Sequence, residues 1–395
     1  MISVGIDVSK GKSKVCIMKP GGEVLAAPYD VQHTKNELNN LIDTIRSYDE
    51  ETKVVLESTG QYHFPVVKML ADNDIFVSVV NPLKMKHFAS QDIRKVKTDR
   101  IDSIHIAMYG ITYWNDLKES SLSADVYSEL RILSRQYGYT VSLMVDAKNN
   151  LKRIIDSVMP GLDDYLKDNR QNNRLCDFAK HYWHYDNITK FSEKRFVNSV
   201  ISWKKKKGYH LTEAQAKTIY ALAQDGIPVL PCTSTTQLIV TEAAELICEL
   251  EKTRKTILAQ MTAFAKTLPE YSVVREMSCV GDILAVRVIA EIGDISRFKS
   301  KRSLIAYAGI DVPPYQSGKF NATERHITKR GNAYLRQIGF EIAQSYIMHK
   351  PKDDPIYDFI LKKRSEGKCG KAAMIAGLNK FLRVYYGKVS EIYRV

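Results

Sequence analysis

Ile2-Ser3-Val4-Gly5-Ile6-Asp7 is a short, mostly apolar run that ends on a carboxylate, and Val8-Ser9-Lys10 leads the chain out of it. Such a run, bounded by a turn, reads as a buried strand. Lys14 to Met18 is a second β-rich run, and Gly21-Gly22 supplies a tight turn into a third strand, Val24-Leu25-Ala26. Leu38, Leu41, Ile42 and Ile45 then recur at helical spacing. Val54-Val55-Leu56 is a further buried strand, ending on Glu57. A helix from about Tyr62 to Asn73 leads to a strand from Ile75 to Val80. Three strands in a meander, then strand and helix in alternation, predict a mixed sheet with helices packed on it. That order suits an α/β, ribonuclease-H-like domain.

The strand ends hold the first chemical signal. Asp7 closes the first strand and Glu57 the fourth, and in the expected sheet these strands are neighbours. Lys97-Thr98-Asp99-Arg100-Ile101-Asp102 opens a helical pattern, and three-residue spacing puts Asp99 and Asp102 on one face near its N-terminus, where anions are favoured. Taken singly, each acid has an ordinary reading as a turn cap, a strand-end charge or a solvated helix-end residue. All four, in this order on this strand pattern, read as catalytic. Clustered carboxylates repel unless cations sit between them, and hard oxygen donors suit Mg²⁺. Two such ions roughly 4 Å apart stabilise both the attacking and leaving oxygens of a phosphoryl transfer. Sugar kinases of the actin-like class also open on an Ile-Asp strand, but they need Gly-rich loops around nucleotide phosphates. No such loop follows Asp102.

Composition points the same way. Across 395 residues, 58 Lys and Arg stand against 45 Asp and Glu, a formal net charge of +13. That excess favours a polyanionic partner, although a merely basic, soluble protein would share it. Cys16, Cys176, Cys232, Cys248, Cys279 and Cys369 are scattered, without the close spacing of a structural zinc site. They fit reduced thiols, and with no signal-peptide layout or apolar span the expected location is the cytoplasm.

Beyond residues 1–118, two seams mark residues 119–270 as a coiled-coil region. Val126, Leu130, Leu133, Tyr137, Val141, Met144, Leu151, Ile154 and Val158 form one, and Leu246, Leu250, Thr253, Ile257, Met261, Phe264 and Leu268 the other. These long helices would pair as an antiparallel hairpin or drive oligomerisation. Between them, about 162–236, lies a polar helical insertion. Its Trp203-Lys204-Lys205-Lys206-Lys207-Gly208-Tyr209 offers aromatics to stack on bases and lysines for phosphates, or is simply a solvated helix end.

Residues 271–395 form a mainly α third region. Cys279-Val280-Gly281-Asp282 precedes an apolar helix, Ile283 to Ile292, in a helix-hairpin-helix-like turn that suits a DNA phosphate at Gly281. An ordinary turn reads the same, but Arg297, Lys299, Lys301 and Arg302 are nearby. Farther on, Pro313-Pro314-Tyr315-Gln316-Ser317-Gly318-Lys319 exposes a serine hydroxyl in a loop. Arg325-His326-Ile327-Thr328-Lys329-Arg330-Gly331-Asn332 surrounds it with cations, so that Lys319, Arg325, Lys329 and Arg330 are candidate phosphate ligands. A serine needs activation to act as a nucleophile, and no obvious base sits beside it, with His326 a distant candidate. From its own surroundings Ser317 reads as a turn residue.

Together, Gly-Ile-Asp-Val-Ser-Lys, Leu-Glu-Ser-Thr-Gly and Lys-Thr-Asp-Arg-Ile-Asp resemble the DEDD transposases of bacterial insertion sequences, relatives of the Piv invertase. The stretch from Cys279 to Arg336, with Gly-Asp-Ile-Ser-Arg-Phe and a Ser-Gly followed by Thr-Lys-Arg-Gly-Asn, is similar to their C-terminal transposase domain. The resemblance implies a RuvC-like domain whose metal-binding acids are Asp7, Glu57, Asp99 and Asp102, with Mg²⁺ replaceable by Mn²⁺. It implies Ser317 as the nucleophile of a covalent phosphoserine link to DNA. It further implies donor and target DNA as partners, a guiding bridge RNA, and a homo-oligomer, dimer or tetramer, whose half-sites come from different subunits. The alternatives are a RuvC-like Holliday-junction resolvase, or an invertase working without an RNA guide. The insertion at 162–236 is longer than the family's usual connection.

Overall fold

In the computed structural model, residues 1–58, 62–90, 98–120, 125–166, 174–313, 316–317, 320–321 and 326–393 are described. They form two units, 1–123 and 124–395.

The first unit is built on β1 (Ile2–Val8). Its even positions, Ile2, Val4, Ile6 and Val8, are branched and buried, while Ser3, Gly5 and Asp7 take the other face. β2 (Lys12–Met18) and β3 (Val24–Gln32) complete an antiparallel meander; β3 runs well past the expected Ala26. After α1 (Lys35–Arg46), β4 (Thr52–Glu57) returns parallel to β1. α2 (Phe64–Ala71) leads to β5 (Val77–Val80), parallel to β4, and α3 (Pro82–Ala89) and α4 (Asp99–Thr112) follow. The strand order β3-β2-β1-β4-β5 is that of the ribonuclease-H-like, RuvC-like fold. α1 and α2 cover the even face of β1 through Leu38, Leu41, Ile42, Val66 and Leu70. α4 covers the odd face, where Ile106 and Tyr109 meet Val55, and Ala107 meets Cys16 and Met18.

Among the described residues, the regular structure of the second unit is helical apart from one ribbon. α5 (Asp125–Val158) is followed by α6 (Asp163–Leu166), α7 (Arg174–His181), α8 (Tyr185–Thr189), α9 (Glu193–Lys207) and α10 (Glu213–Asp225). α11 (Ser234–Ala265) then returns along α5. The start of α5 (Tyr127, Leu130, Tyr137) shares a core with the end of α11 (Met261, Ala265), while Leu151 and Ile155 share another with Val240 and Ile247. The pair is therefore antiparallel. Its seam differs from the expected one on α11, where Ile247 is buried and Leu246 is half exposed. The insertion adds a second neighbour here, since α7 also packs on α11, with Lys180 reaching Glu245 and Cys248, and Ala244 and Ile247 lie in a core shared with both helices. Residues 162–236 are accordingly more than a polar connection. Phe178, Tyr182, Tyr185 and Phe196 give them a core of their own around the distal half of α5 and α11.

The remaining elements are α12 (Glu270–Arg275), α13 (Asp282–Ile292), α14 (Lys301–Ala308), the two-residue strands β6 (Gln316–Ser317) and β7 (Phe320–Asn321), α15 (Ala333–His349), α16 (Pro355–Ser365) and α17 (Gly370–Ile392). They gather around α13, which is buried from Ala285 to Ile292. Among the described residues, no helix is long and apolar enough to cross a membrane.

Candidate functional site

In the first unit, Gly5 pairs with Val55 and Ile6 with Leu56 across the parallel β1–β4 ladder. The next residues, Asp7 and Glu57, thus stand side by side where both strands end. Alternation puts them on the same face as Ser3, Gly5 and Val55, which is the α4 face. The helix is held very close to it. A Cβ on Gly5 would lie 2.3 Å from the Ala107 amide nitrogen and 2.4 Å from the Ser103 carbonyl oxygen, so only glycine fits; one turn on, Gly110 lies against Ser3 and Val55. α4 therefore runs antiparallel to β1, its N-terminus toward Asp7. Asp99 lies about 6 Å along the helix axis from Ser103, and Asp7 about 7 Å along the strand from Gly5. These paths bring Asp99 and Asp102 to the edge that holds Asp7 and Glu57.

The local sequence explains the helix start. Thr98 Oγ1 accepts the Ile101 N–H at 3.3 Å, a side-chain cap, and the two acids occupy the first turn where unpaired amides favour negative charge. Asp7, Glu57 and Asp102 are half-buried and Asp99 is exposed. The motif residues Thr59, Gly60 and Lys97 lie outside the described residues.

In the second unit, Ser317 belongs to a ribbon rather than an open loop, paired with Phe320. Its side chain, and the residues Gly318, Lys319 and Arg325, lie outside what is described. The stem beneath it is well defined. Thr328 N–H donates to the Asp311 carbonyl at 3.1 Å, Lys329 N–H to Gly309 at 3.0 Å and Asn332 N–H to Tyr307 at 2.7 Å. Gly331 has φ +151° with the Tyr307 carbonyl oxygen 2.3 Å from where a Cβ would stand, so this crossing demands glycine. Thr328 Oγ1 adds a bond to the Asp311 carboxylate at 2.6 Å. Lys329 and Arg330 are exposed on the stem.

The stem rests on a buried carboxylate that the sequence reading missed. Glu291, fully buried on α13, accepts from Asn332 Nδ2 at 2.7 Å and from Arg135 Nε at 3.5 Å. Its carbonyl oxygen accepts from Tyr307 Oη at 3.1 Å. Asn332 also caps α15 by accepting the Leu335 N–H at 3.0 Å. Arg297 lies over the rings of Tyr307 (4.4 Å) and Phe298 (4.6 Å). Burial holds the Arg131 guanidinium below its ordinary value, and the neighbouring Arg297 and Arg135 push the same way. A lone carboxylate inside the apolar run Ile283 to Ile292 was the signal available for Glu291.

Other candidates sit in more ordinary surroundings. Trp203 and Tyr209 pack against each other with centroids 5.3 Å apart and planes tilted by 39°, and Trp203 meets Phe178 edge-on. Lys204 donates to the Leu211 carbonyl and Lys207 pairs with Asp177 at 3.1 Å; Lys205 and Lys206 are exposed. At Gly281, the first turn of α13 already holds an anion. Asp282 is paired with Arg275, whose guanidinium keeps its carboxyl below the usual range. His184, Asp186 and Cys232 approach within metal-ligand range of one another. However, His184 Nδ1 accepts the Asp186 N–H at 3.1 Å, and Nε2 then donates to Leu230 at 2.9 Å, so the ring is engaged as a helix cap.

Comparison with known proteins matches two stretches of the chain. Residues 4–160 match the family of DEDD transposases of the IS110 type, and residues 271–358 match the family described as transposase, IS116/IS110/IS902. An uncharacterized 43.6 kDa protein of insertion element IS110 from Streptomyces coelicolor is 21% identical over 99% of this chain and 94% of its own length. The transposase for insertion sequence element IS1111A from Coxiella burnetii is 28% identical over 34% of this chain and 37% of its own. Among solved structures, Thermus thermophilus RuvC in complex with a Holliday junction substrate matches 30% of this chain and 99% of that one, with 11% identity and a TM-score of 0.24.

Proposed function

We propose that this DNA transposase, which belongs to the IS110-type DEDD family of insertion-sequence transposases, exchanges DNA strands through a phosphoserine intermediate. The observation that carries the proposal is the convergence of Asp7 and Glu57, in register on neighbouring strands, with the Asp99–Asp102 turn of α4.

The donor set is four carboxylates, hard oxygen ligands that fit Mg²⁺ and admit Mn²⁺ in its place. Two ions would be shared among Asp7, Glu57, Asp99 and Asp102. When bound, such ions neutralise charge building on the phosphate oxygens and make an attacking hydroxyl a better nucleophile. The Ser317 hydroxyl attacks the scissile phosphorus. An Oγ–P bond forms, the P–O3′ bond breaks, and the hydroxyl proton ends on the departing 3′ oxygen. His326, exposed in the same loop, is the candidate carrier of that proton. A 3′-hydroxyl from another strand then attacks the phosphoserine, restoring the serine and joining the new strand. Lys329 and Arg330 on the stem, with Lys319 and Arg325, would hold the phosphate, and Lys205 and Lys206 would add nonspecific backbone contacts.

A structured bridge RNA would choose donor and target, and the active form would be a dimer or tetramer. Both readings rest on the family resemblance and, for RNA, on the net charge of +13.

The test is covalent trapping. With Mg²⁺ and a DNA end, the native chain should give a protein–DNA adduct on denaturing gels, and Ser317→Ala should give none while still binding DNA. Cleavage without any adduct would replace the serine by water and make the enzyme a resolvase-type nuclease. Co-purification of an RNA whose removal leaves strand exchange unchanged would remove the guide.

A further inference from the structure

In the second unit, a groove of about 300 Å³ opens between α5 and α15. Arg135, Tyr139 and Ser142 present one face of α5 to it, Tyr334 and Gln337 the facing turn of α15, and Arg287 comes from α13. Two aromatic rings here are left to solvent, with Tyr139 59% and Tyr334 48% exposed. The Arg135 guanidinium lies 4.7 Å from the centre of the Tyr334 ring. Arg287 is nine-tenths buried. Its terminal nitrogens are taken by Glu341 and its plane lies over Tyr137, but its Nε–H is buried without an acceptor.

The charges nearly cancel, because Arg287 faces Glu341 and Arg135 faces Glu291. A surface of that kind is poorly suited to holding a run of phosphates. It suits a flat, polar-edged group: ring faces to stack on, and hydroxyl, amide and guanidinium donors at the edges. A base presents its face only when it is unpaired, as in single strands and flipped nucleotides.

We infer that this groove takes one unpaired nucleotide of a nucleic-acid strand, its base held against the exposed rings of Tyr139 and Tyr334. The inference rests on the nucleic-acid-rearranging reading above. It also ties the groove to the serine hairpin, since Arg135 reaches Glu291 and Tyr334 stands two residues beyond Asn332. An occupant would bear on the same stem that holds Ser317.

Fluorescence titration of the full-length Asp7→Asn protein, which should not cut the probe, tests this. The probes are short single-stranded DNA and RNA oligonucleotides carrying 2-aminopurine, whose emission is quenched on stacking. Tyr139→Ala and Tyr334→Ala should each weaken binding roughly tenfold and relieve the quenching, whereas Tyr139→Phe should preserve both. Both tyrosines are exposed, so neither change opens the core. A loss confined to DNA or to RNA identifies the strand that supplies the nucleotide, and a loss with both assigns the groove to either sugar. Unchanged affinity and quenching in both alanine variants would overturn the groove alone. Failure of the Asp7→Asn parent to bind either strand would overturn the groove together with the reading beneath it.

Discussion

At the acidic edge, two paired strands and a close-packed helix hold the carboxylates; at the serine ribbon, two-residue strands hang from a stem tied by three backbone bonds. Clustered carboxylates repel one another unless cations sit between them, so they need a scaffold that does not relax away. On the proposed mechanism, a serine that first attacks and is later displaced needs an anchored base. The contrast predicts that substitutions at the first site change chemistry without moving anything, while substitutions beneath the second change chemistry through position.

The largest effects should come from the acids. Asp102→Asn or Glu57→Gln keeps the shape and removes a charge. Mg²⁺-dependent cleavage should fall by about a hundredfold or more with the melting temperature essentially kept. Retained cleavage would dissolve the contrast at its acidic end. Next comes the scaffold. Gly5→Ala thrusts a methyl group into the α4 backbone, which cannot give as a side chain would. We expect a loss of about 2–3 kcal/mol in denaturant unfolding of the first unit. A neutral result would mean that α4 is not fixed against β1.

Under the ribbon, Asn332→Ala removes the cap of α15 and the bond to Glu291 together. Stability should drop by about 1–2 kcal/mol, and the rate of adduct formation by more than that loss alone explains, roughly tenfold. Equal adduct rates would show that the stem does not position the serine. The smallest effect lies on the helix pair. Glu251 is buried on α11 with its carboxyl held below the ordinary 4.5 by the Arg254 guanidinium. A depressed carboxyl stabilises the fold above its unfolded value and loses that contribution as pH falls through its folded value. Melting temperatures followed below about pH 4.5 should therefore decline more in the native chain than in Glu251→Gln.

How much of this the sequence disclosed follows the same division. Alternating Ile and Val in β1 and the apolar run of β4 determine which face Asp7 and Glu57 share, so the sheet and its acids were readable residue by residue. The close approach of α4 was not, because Gly5 and Gly110 announce nothing until their neighbours are known. The α11 seam was misplaced by one residue at Leu246 and Ile247, on a helix that has a second partner in α7, and periodicity alone cannot count partners. The insertion looked polar because its apolar residues are spread over five short helices with no single period. Glu291 and Asn332, far apart in sequence, become a pair only through the fold.

The stem at Tyr307–Asp311 and Thr328–Asn332 has one more consequence. Its bonds fix where the intervening segment leaves and rejoins the domain, and they involve no residue between 312 and 327. The entropy of closing such a segment grows only slowly with its length. Residues can therefore be inserted into or exchanged within it at little cost to the domain below, making it a natural place to graft one homologue's loop onto another.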